Sequence, residues 1–167
     1  MQPPVSPGSS QSIGDLSAIA VNALLARAQG LQLAAQAGTR LRPLLGKNIG
    51  LMCESVDAED AVFFRAAAAE LGARVSHVRP SLSGRSTAHE IESTARLLGR
   101  LYDALECQGL APTLVAQIGR DSGVPTYDGL GSKEHPTVRL AASMPSSGSA
   151  AENRRFVLQA VLLGALA

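Results

Sequence analysis

The sequence predicts an α/β domain, a parallel sheet of about four strands with helices on both faces. Three observations predict it. Short apolar runs of strand length alternate with helical patterns of 10–15 residues, the layout of successive βαβ units. The chain has 167 residues and 46% hydrophobic content, enough for one domain around a single core. Its closing stretch, 156–167, carries only one polar side chain, Gln159, the mark of a helix buried on all sides.

The elements follow in order. Residues 1–14 contain Pro, Ser and Gly and lack the basic start and apolar run of a signal peptide, so they read as a flexible tail, with the cytoplasm as the expected compartment. Over 15–36, Leu16, Ile19, Ala20, Ala23, Leu24, Ala28, Leu31 and Ala35 recur at three- and four-residue intervals. This is an amphipathic helix, capped by Asp15 and ended by Gly38. Strands are expected at 48–53, 74–78, 103–107 and 124–127, and helices at 58–71, 88–100, 110–120 and 135–143, making 15–143 one α/β domain. The small residues of 144–150 form a linker. Residues 151–167 form a helix packed back on the domain, in a groove beside the first helix or under another subunit; the apolar part is too short to span a bilayer.

Composition excludes several function classes. With 15 Lys and Arg against 14 Asp and Glu, the charge is close to balanced, and neither nucleic acid nor a membrane is an expected partner. The absence of Trp and an aromatic content of 3% also weaken any base-stacking role. Cys53 and Cys107 each end a strand with no Cys or His at metal-ligand spacing, and read as reduced core thiols. No cofactor and no metal are expected. No G-x-S-x-G elbow, G-x-G-x-x-G turn or Walker loop is present.

In sheets of this kind ligands sit outside the carboxyl ends of the strands, which points to the loops 54–57, 79–87, 107–109 and 128–135. The first strand enters its helix through a short loop, an arrangement that aims free backbone N–H groups at an anion. Yet Asp57, Glu59 and Asp60 occupy this turn. Asp57 can cap the helix, and acids in the first turn gain about 0.3–1 kcal/mol each from the helix dipole. Two readings stay open: a well-capped, solvated helix start, or an acidic pocket for an amine or guanidinium group.

The stretch LLGKNIGLMCESVDAEDAVFFRAAAAELGA resembles the opening of aspartate and ornithine carbamoyltransferases. That family writes L-x-G-K, a strand ending in Glu, Ser-Thr-Arg-Thr-Arg, then a helix ending in Leu-Gly. IESTARLLGRLYDAL (91–105), VPTYDGLGSKEHPTVRLA (124–141), the LQLAAQAGT before residue 40 and AENRRFVLQAVLLGALA (151–167) are similar to later and earlier parts of the same family. Between Ala141 and Ala151 about ten residues stand where the family has its amino-acid-binding domain. The chain resembles the carbamoyl-phosphate-binding N-terminal domain plus the C-terminal helix, with the second domain missing.

The resemblance implies where a carbamoyl-phosphate site would lie and that it is degenerate. Ser-Thr-Arg-Thr-Arg falls on Asp57, Ala58, Glu59, Asp60 and Ala61; the Arg after the third strand falls on Gln108; the Gln of His-Pro-x-Gln falls on Val138. Only His135, with Pro136, is kept, either for ligand polarisation or as a loop-to-helix hydrogen bond. Opposite charges at about 4 Å gain roughly 4 kcal/mol at an effective dielectric of about 20, so Glu59 in place of Arg turns a gain into a penalty of that order. Phosphate is expected to be rejected. Arg79, Arg85 and Lys133 are the basic groups of the rim. The family's equivalent of loop 79–87 reaches a neighbouring subunit's site, so Arg85 is a candidate for an anion contact across an interface, although Ser-Gly-Arg-Ser is also an ordinary turn, as is Asp128-Gly129.

The expected function is that of a non-catalytic carbamoyltransferase-like protein, structural, interacting or regulatory, assembled as a homotrimer or with a full-length carbamoyltransferase. The alternatives are a binding module for a small cationic metabolite, and a residual transferase needing a partner chain. Loss of both the anion clamp and the second domain speaks against the last.

Overall fold

The computed structural model describes residues 16–145 and 148–167. The expected tail at 1–14, Asp15, and positions 146–147 of the expected linker lie outside the described residues. The chain runs α1 (Ala18–Gln36), β1 (Asn48–Met52), α2 (Glu59–Glu70), β2 (Arg74–Val78), α3 (Ala88–Leu101), β3 (Ala104–Cys107), α4 (Pro112–Ser122), β4 (Thr126–Asp128), α5 (Thr137–Ala142) and α6 (Ala150–Leu166). The four strands form one sheet in the order β2-β1-β3-β4, with every ladder parallel. This is the α/β class that the alternation predicts.

The two faces of the sheet separate by the period-two alternation of its strands. Ile49 and Leu51 of β1 and Ala104 of β3 join α1, α2, α5 and α6 in one core. Met52, Leu105 and Cys107 join α3 and α4 in the other. The central strands β1 and β3 are buried along almost their whole length, whereas β2, at an edge, is largely exposed. Helices therefore cover both faces, as parallel sheets require.

Local chemistry sets the element bounds. Proline has no N–H for a ladder, and β4 starts at Thr126, just after Pro125, rather than at residue 124. Pro112 opens α4 at its first turn, where a missing N–H costs nothing. Gly38, at φ 73°, turns the chain away from α1. Two capping boxes fix helix starts that the sequence reading placed without them: Thr87 with Glu90 at α3, and Ser149 with Glu152 at α6.

Two expected caps are corrected. The N-cap of α1 is Ser17, whose Oγ accepts the N–H of Ala20 at 3.2 Å. At α2 the N-cap is Ala58, with no side-chain cap. Asp57 stands one residue too early to reach the free N–H groups of the helix; its own N–H is held by Ser55 Oγ at 3.3 Å. The expected helix at 135–143 begins at Thr137, because His135 and Pro136 form the turn that starts it.

The C-terminal helix α6 lies against α1, α5 and α2, burying Phe156, Val157, Leu158, Ala160 and Leu162. Its buried amide side chains are matched, whereas the Nε atoms of Arg154 and Arg155 are buried without a partner. Gln159 donates to the carbonyl of Ala67 at 3.0 Å and to Glu70 at 2.9 Å, and Asn153 accepts from Gln32 of α1 at 3.0 Å. No helix among the described residues is long and apolar enough to cross a membrane.

Candidate functional site: an acidic pocket at the sheet rim

A cavity of about 260 Å³ opens at the carboxyl ends of β3 and β4, lined by Asp60 of α2, Gln108 and Gly109 after β3, Asp128 of β4, and Gly129, Ser132, Glu134, His135 and Pro136 of the following loop. This is where a parallel sheet places its ligands. Its lining includes three carboxyl side chains and neither Lys nor Arg. Burial raises the pKa of Asp128. Gln108 is tied down, its Nε2 donating to the carbonyl of Asp60 at 3.2 Å and to Glu106 at 3.4 Å.

His135 adds no positive charge. Its Nδ1 accepts the N–H of Thr137 at 3.2 Å and lies 3.0 Å from Thr137 Oγ1. Burial, helped by the nearby Arg154 charge, pushes its pKa down to about 4. At neutral pH the ring is uncharged, with Nδ1 as acceptor and the proton on Nε2. The bond to Thr137 is a loop-to-helix bond at the start of α5. On the outer rim, Lys133 Nζ pairs with Glu59 Oε2 at 2.6 Å, and this contact with Lys133 lowers the pKa of Glu59. The pair is well exposed and adds little stability, but it commits the Lys133 charge to Glu59.

Beneath the pocket lies a group of residues that the sequence reading missed. Glu106 of β3 is fully buried, and its carboxylate accepts the N–H of Leu130 at 2.9 Å and of Gly131 at 2.7 Å. Burial is the largest influence on it and raises its pKa to about 8. Arg154 of α6 donates to the carbonyl of Gly131 and lies 4.0 Å over the ring of Phe63. A Cβ on Gly131 would come within 2.8 Å of the Asp60 carbonyl and of Phe64 Cβ, so this position has no room for a side chain. The available signals were an acid inside the apolar strand Ala-Leu-Glu-Cys, and paired arginines opening an otherwise apolar helix.

The family described as aspartate/ornithine carbamoyltransferase, carbamoyl-P binding domain, matches residues 9–145. The chain belongs to the aspartate/ornithine carbamoyltransferase family. It is 41% identical over 103 residues to the catabolic ornithine carbamoyltransferase of Malacoplasma penetrans, a match covering 62% of this chain and 30% of that protein. The ornithine carbamoyltransferase of Pyrococcus furiosus shares its fold with a TM-score of 0.65 and 26% identity, over 77% of this chain and 41% of that one. For the Gloeobacter violaceus ornithine carbamoyltransferase the TM-score is 0.58 at 29% identity, over 78% and 41% of the two chains. The chain spans less than half the length of these carbamoyltransferases.

In this carbamoyltransferase domain the residues singled out from the sequence divide into three groups. Asp60, Gln108, Asp128 and His135 meet in the pocket. Glu59 and Lys133 bridge its outer edge. Asp57, Ala58, Val138, Arg79 and Arg85 are outside the lining. Arg79 and Arg85 are exposed beyond β2, an edge strand separated from β3 by β1. Arg85 sits in a turn closed by its own N–H on Ser83 Oγ at 3.2 Å. Cys53 and Cys107 are free and buried, and burial pushes the Cys107 thiol up to about 12, so it stays protonated.

A larger cavity of about 980 Å³, lined in part by Arg40, Arg42 and Arg155, lies near the amino ends of β1 and β2. It sits at the C-terminal ends of α1 and α2, whose carbonyl dipoles oppose anion binding. Its Arg155 is paired with Glu70 at 2.9 Å. Among the described residues no group of three or more His, Cys, Asp and Glu is placed to hold a metal ion.

Proposed function

We propose that this carbamoyltransferase-family domain does not transfer carbamoyl groups and acts instead as an assembling, structural or regulatory relative of the enzymes. The observation that carries the reading is the charge of the pocket. Three acidic residues line it, and the position that carries the family's loop arginine in the resemblance is Glu59, already paired with Lys133 at 2.6 Å. A phosphate dianion would meet repulsion of roughly 8 kcal/mol from one such charge at about 4 Å and an effective dielectric of about 20, twice the value for two unit charges. The short segment joining α5 to α6 stands where the family's amino-acid-binding domain would be inserted. Calorimetry with carbamoyl phosphate is expected to give no binding heat, and no carbamoyl transfer to ornithine or aspartate is expected. Micromolar affinity would overturn the reading.

The same acids favour a second reading, a site for a small cation. Ornithine, arginine or a polyamine that raises the melting temperature by several degrees, with Asp128→Asn abolishing the rise, would select it over the first.

Assembly is the positive part of the proposal. The family resemblance implies a trimer built through this domain near loop 79–87, with a full-length carbamoyltransferase as the alternative partner. Arg79→Glu or Arg85→Glu is expected to shift the assembly toward monomer in sedimentation. A wild-type protein that sediments alone as a species of 17.2 kDa removes the homotrimer.

A further inference from the structure

Glu106 is an acid held in two incompatible ways. Its Oε1 accepts the Leu130 N–H at 2.9 Å, while Oε2 accepts the Gly131 N–H at 2.7 Å and the Gln108 amide at 3.4 Å. All three partners are donors. Such a shell suits an ionised carboxylate, which only accepts; a protonated acid brings an O–H that would have to face one of these N–H groups. Yet the side chain is fully buried, and burial disfavours the charge. The outcome is a proton affinity near the neutral range, with burial raising the pKa to about 8 against the pull of the three donors.

The two backbone donors belong to the segment that builds one wall of the acidic pocket. Gly131 is gripped at both ends of its residue, its N–H by Glu106 and its carbonyl by Arg154. With no space for a Cβ against Asp60 and Phe64, the wall is seated only while this residue stays in place. Ser132, Glu134 and His135 follow directly in sequence and line the pocket.

We infer that Glu106 is a proton-operated clamp on the pocket loop 129–136. Ionised, it holds Leu130 and Gly131 and fixes the wall; protonated, it gives up at least one of these bonds and the wall loosens. The groups that bear on it are Asp128 and Tyr127 from β4, Cys53 just after β1, its own neighbour Cys107, Asp60 of α2, whose carbonyl shares the Gln108 amide, and Arg154 of α6 across the Gly131 residue. Asp128 acts with burial to favour the protonated form. Cys107 titrates far above neutrality and His135 far below, so neither accounts for a transition near pH 8. The inference concerns the pocket proposed above but not what it binds, so its test needs no ligand and can fail separately from the calorimetry.

The test is nuclear magnetic resonance on the whole chain across the neutral and mildly alkaline range. The Glu106 side-chain carboxyl carbon is expected to titrate near pH 8. With the same midpoint, the amide protons of Leu130 and Gly131 should move downfield as pH rises. Exchange protection of the loop, corrected for the intrinsic pH dependence, should increase about tenfold, the scale on which a hydrogen bond to a charge exceeds one to a neutral acid. Glu106→Gln should remove all three responses. The clamp is overturned if Glu106 titrates in the ordinary carboxylate range, if it titrates high while the two amides stay still, or if loop protection does not change. Should Glu106→Gln fail to fold, agreement or disagreement of the three wild-type midpoints still decides.

Discussion

Replacing the acidic turn is expected to give this pocket phosphate affinity that the wild-type chain lacks. The variant combines Asp57→Ser, Ala58→Thr, Glu59→Arg and Asp60→Thr with Gln108→Arg. Glu59→Arg reverses a charge and releases Lys133, now held at 2.6 Å. Asp60→Thr removes one of the lining carboxylates, and Gln108→Arg adds a guanidinium beside Glu106. A net favourable change of roughly 4 kcal/mol corresponds to an affinity about a thousandfold above that of the wild-type chain, and calorimetry with inorganic phosphate and carbamoyl phosphate measures it. Ala61 is left alone, although the family's second loop arginine falls on it, because it is fully buried and an unpaired charge there would cost far more than it returned. A folded variant that binds neither ligand would show that lost arginines are not what closes the site. Phosphate affinity should return without catalysis.

The stability of the fold is expected to depend on pH through two groups of opposite sign, Glu106 and His135, whose effects oppose each other between about pH 4.5 and 6.5 and separate on either side of it. Glu106 has a pKa near 8 in the folded protein against an ordinary 4.5. The folded state therefore keeps a proton that the unfolded chain has released, and unfolding becomes easier as pH rises between those values. Its contribution is complete below about pH 4.5 and lost above about pH 8. His135 works in the opposite sense. Its folded pKa is near 4 against 6.5, so the stability it supplies is present above about pH 6.5 and disappears as pH falls through about 4. Glu106→Gln should flatten the decline from about pH 6.5 to 8, where Glu106 acts alone, and leave the one toward pH 4. His135→Ala should do the reverse, after a general loss of about 0.5–1.5 kcal/mol for the bond to Thr137. Chemical denaturation across this range checks both; a decline from about pH 6.5 to 8 unchanged in Glu106→Gln would sink the assignment. If the clamp operates, rising pH lowers global stability while tightening loop 129–136 locally, a divergence that a purely structural buried acid would not produce.

The carboxyl-end rim, the acids at 57–60 and the missing arginines were all legible in the sequence because each is a local pattern. The pocket itself was only partly legible. Asp60, Gln108, Asp128 and His135 were marked individually, but Glu134 was not, and nothing in the chain says that Arg79 and Arg85 lie away from them. That follows from strand order. Placing β1 between β2 and β3 carries the loop after β2 away from the loops after β3 and β4, although all three belong to the same rim.

By itself the sequence determined the elements, because hydrophobic period, proline and glycine act within a few residues of where they stand. The apolar faces of β1, the Ala-rich α2 and the burial of α6 needed no knowledge of distant partners. Tertiary structure alone decided which polar groups meet. Glu106 reaches N–H groups 24 and 25 residues along the chain, and Arg154 reaches back 23 residues to the same glycine. Even the failure of Asp57 to cap α2 turns on one residue of phase, set by a hydrogen bond to Ser55. Local propensity is additive along the chain and can be read from it, whereas the state of a buried charge depends on every group packed around it, and that set exists only once the sheet and helices have closed.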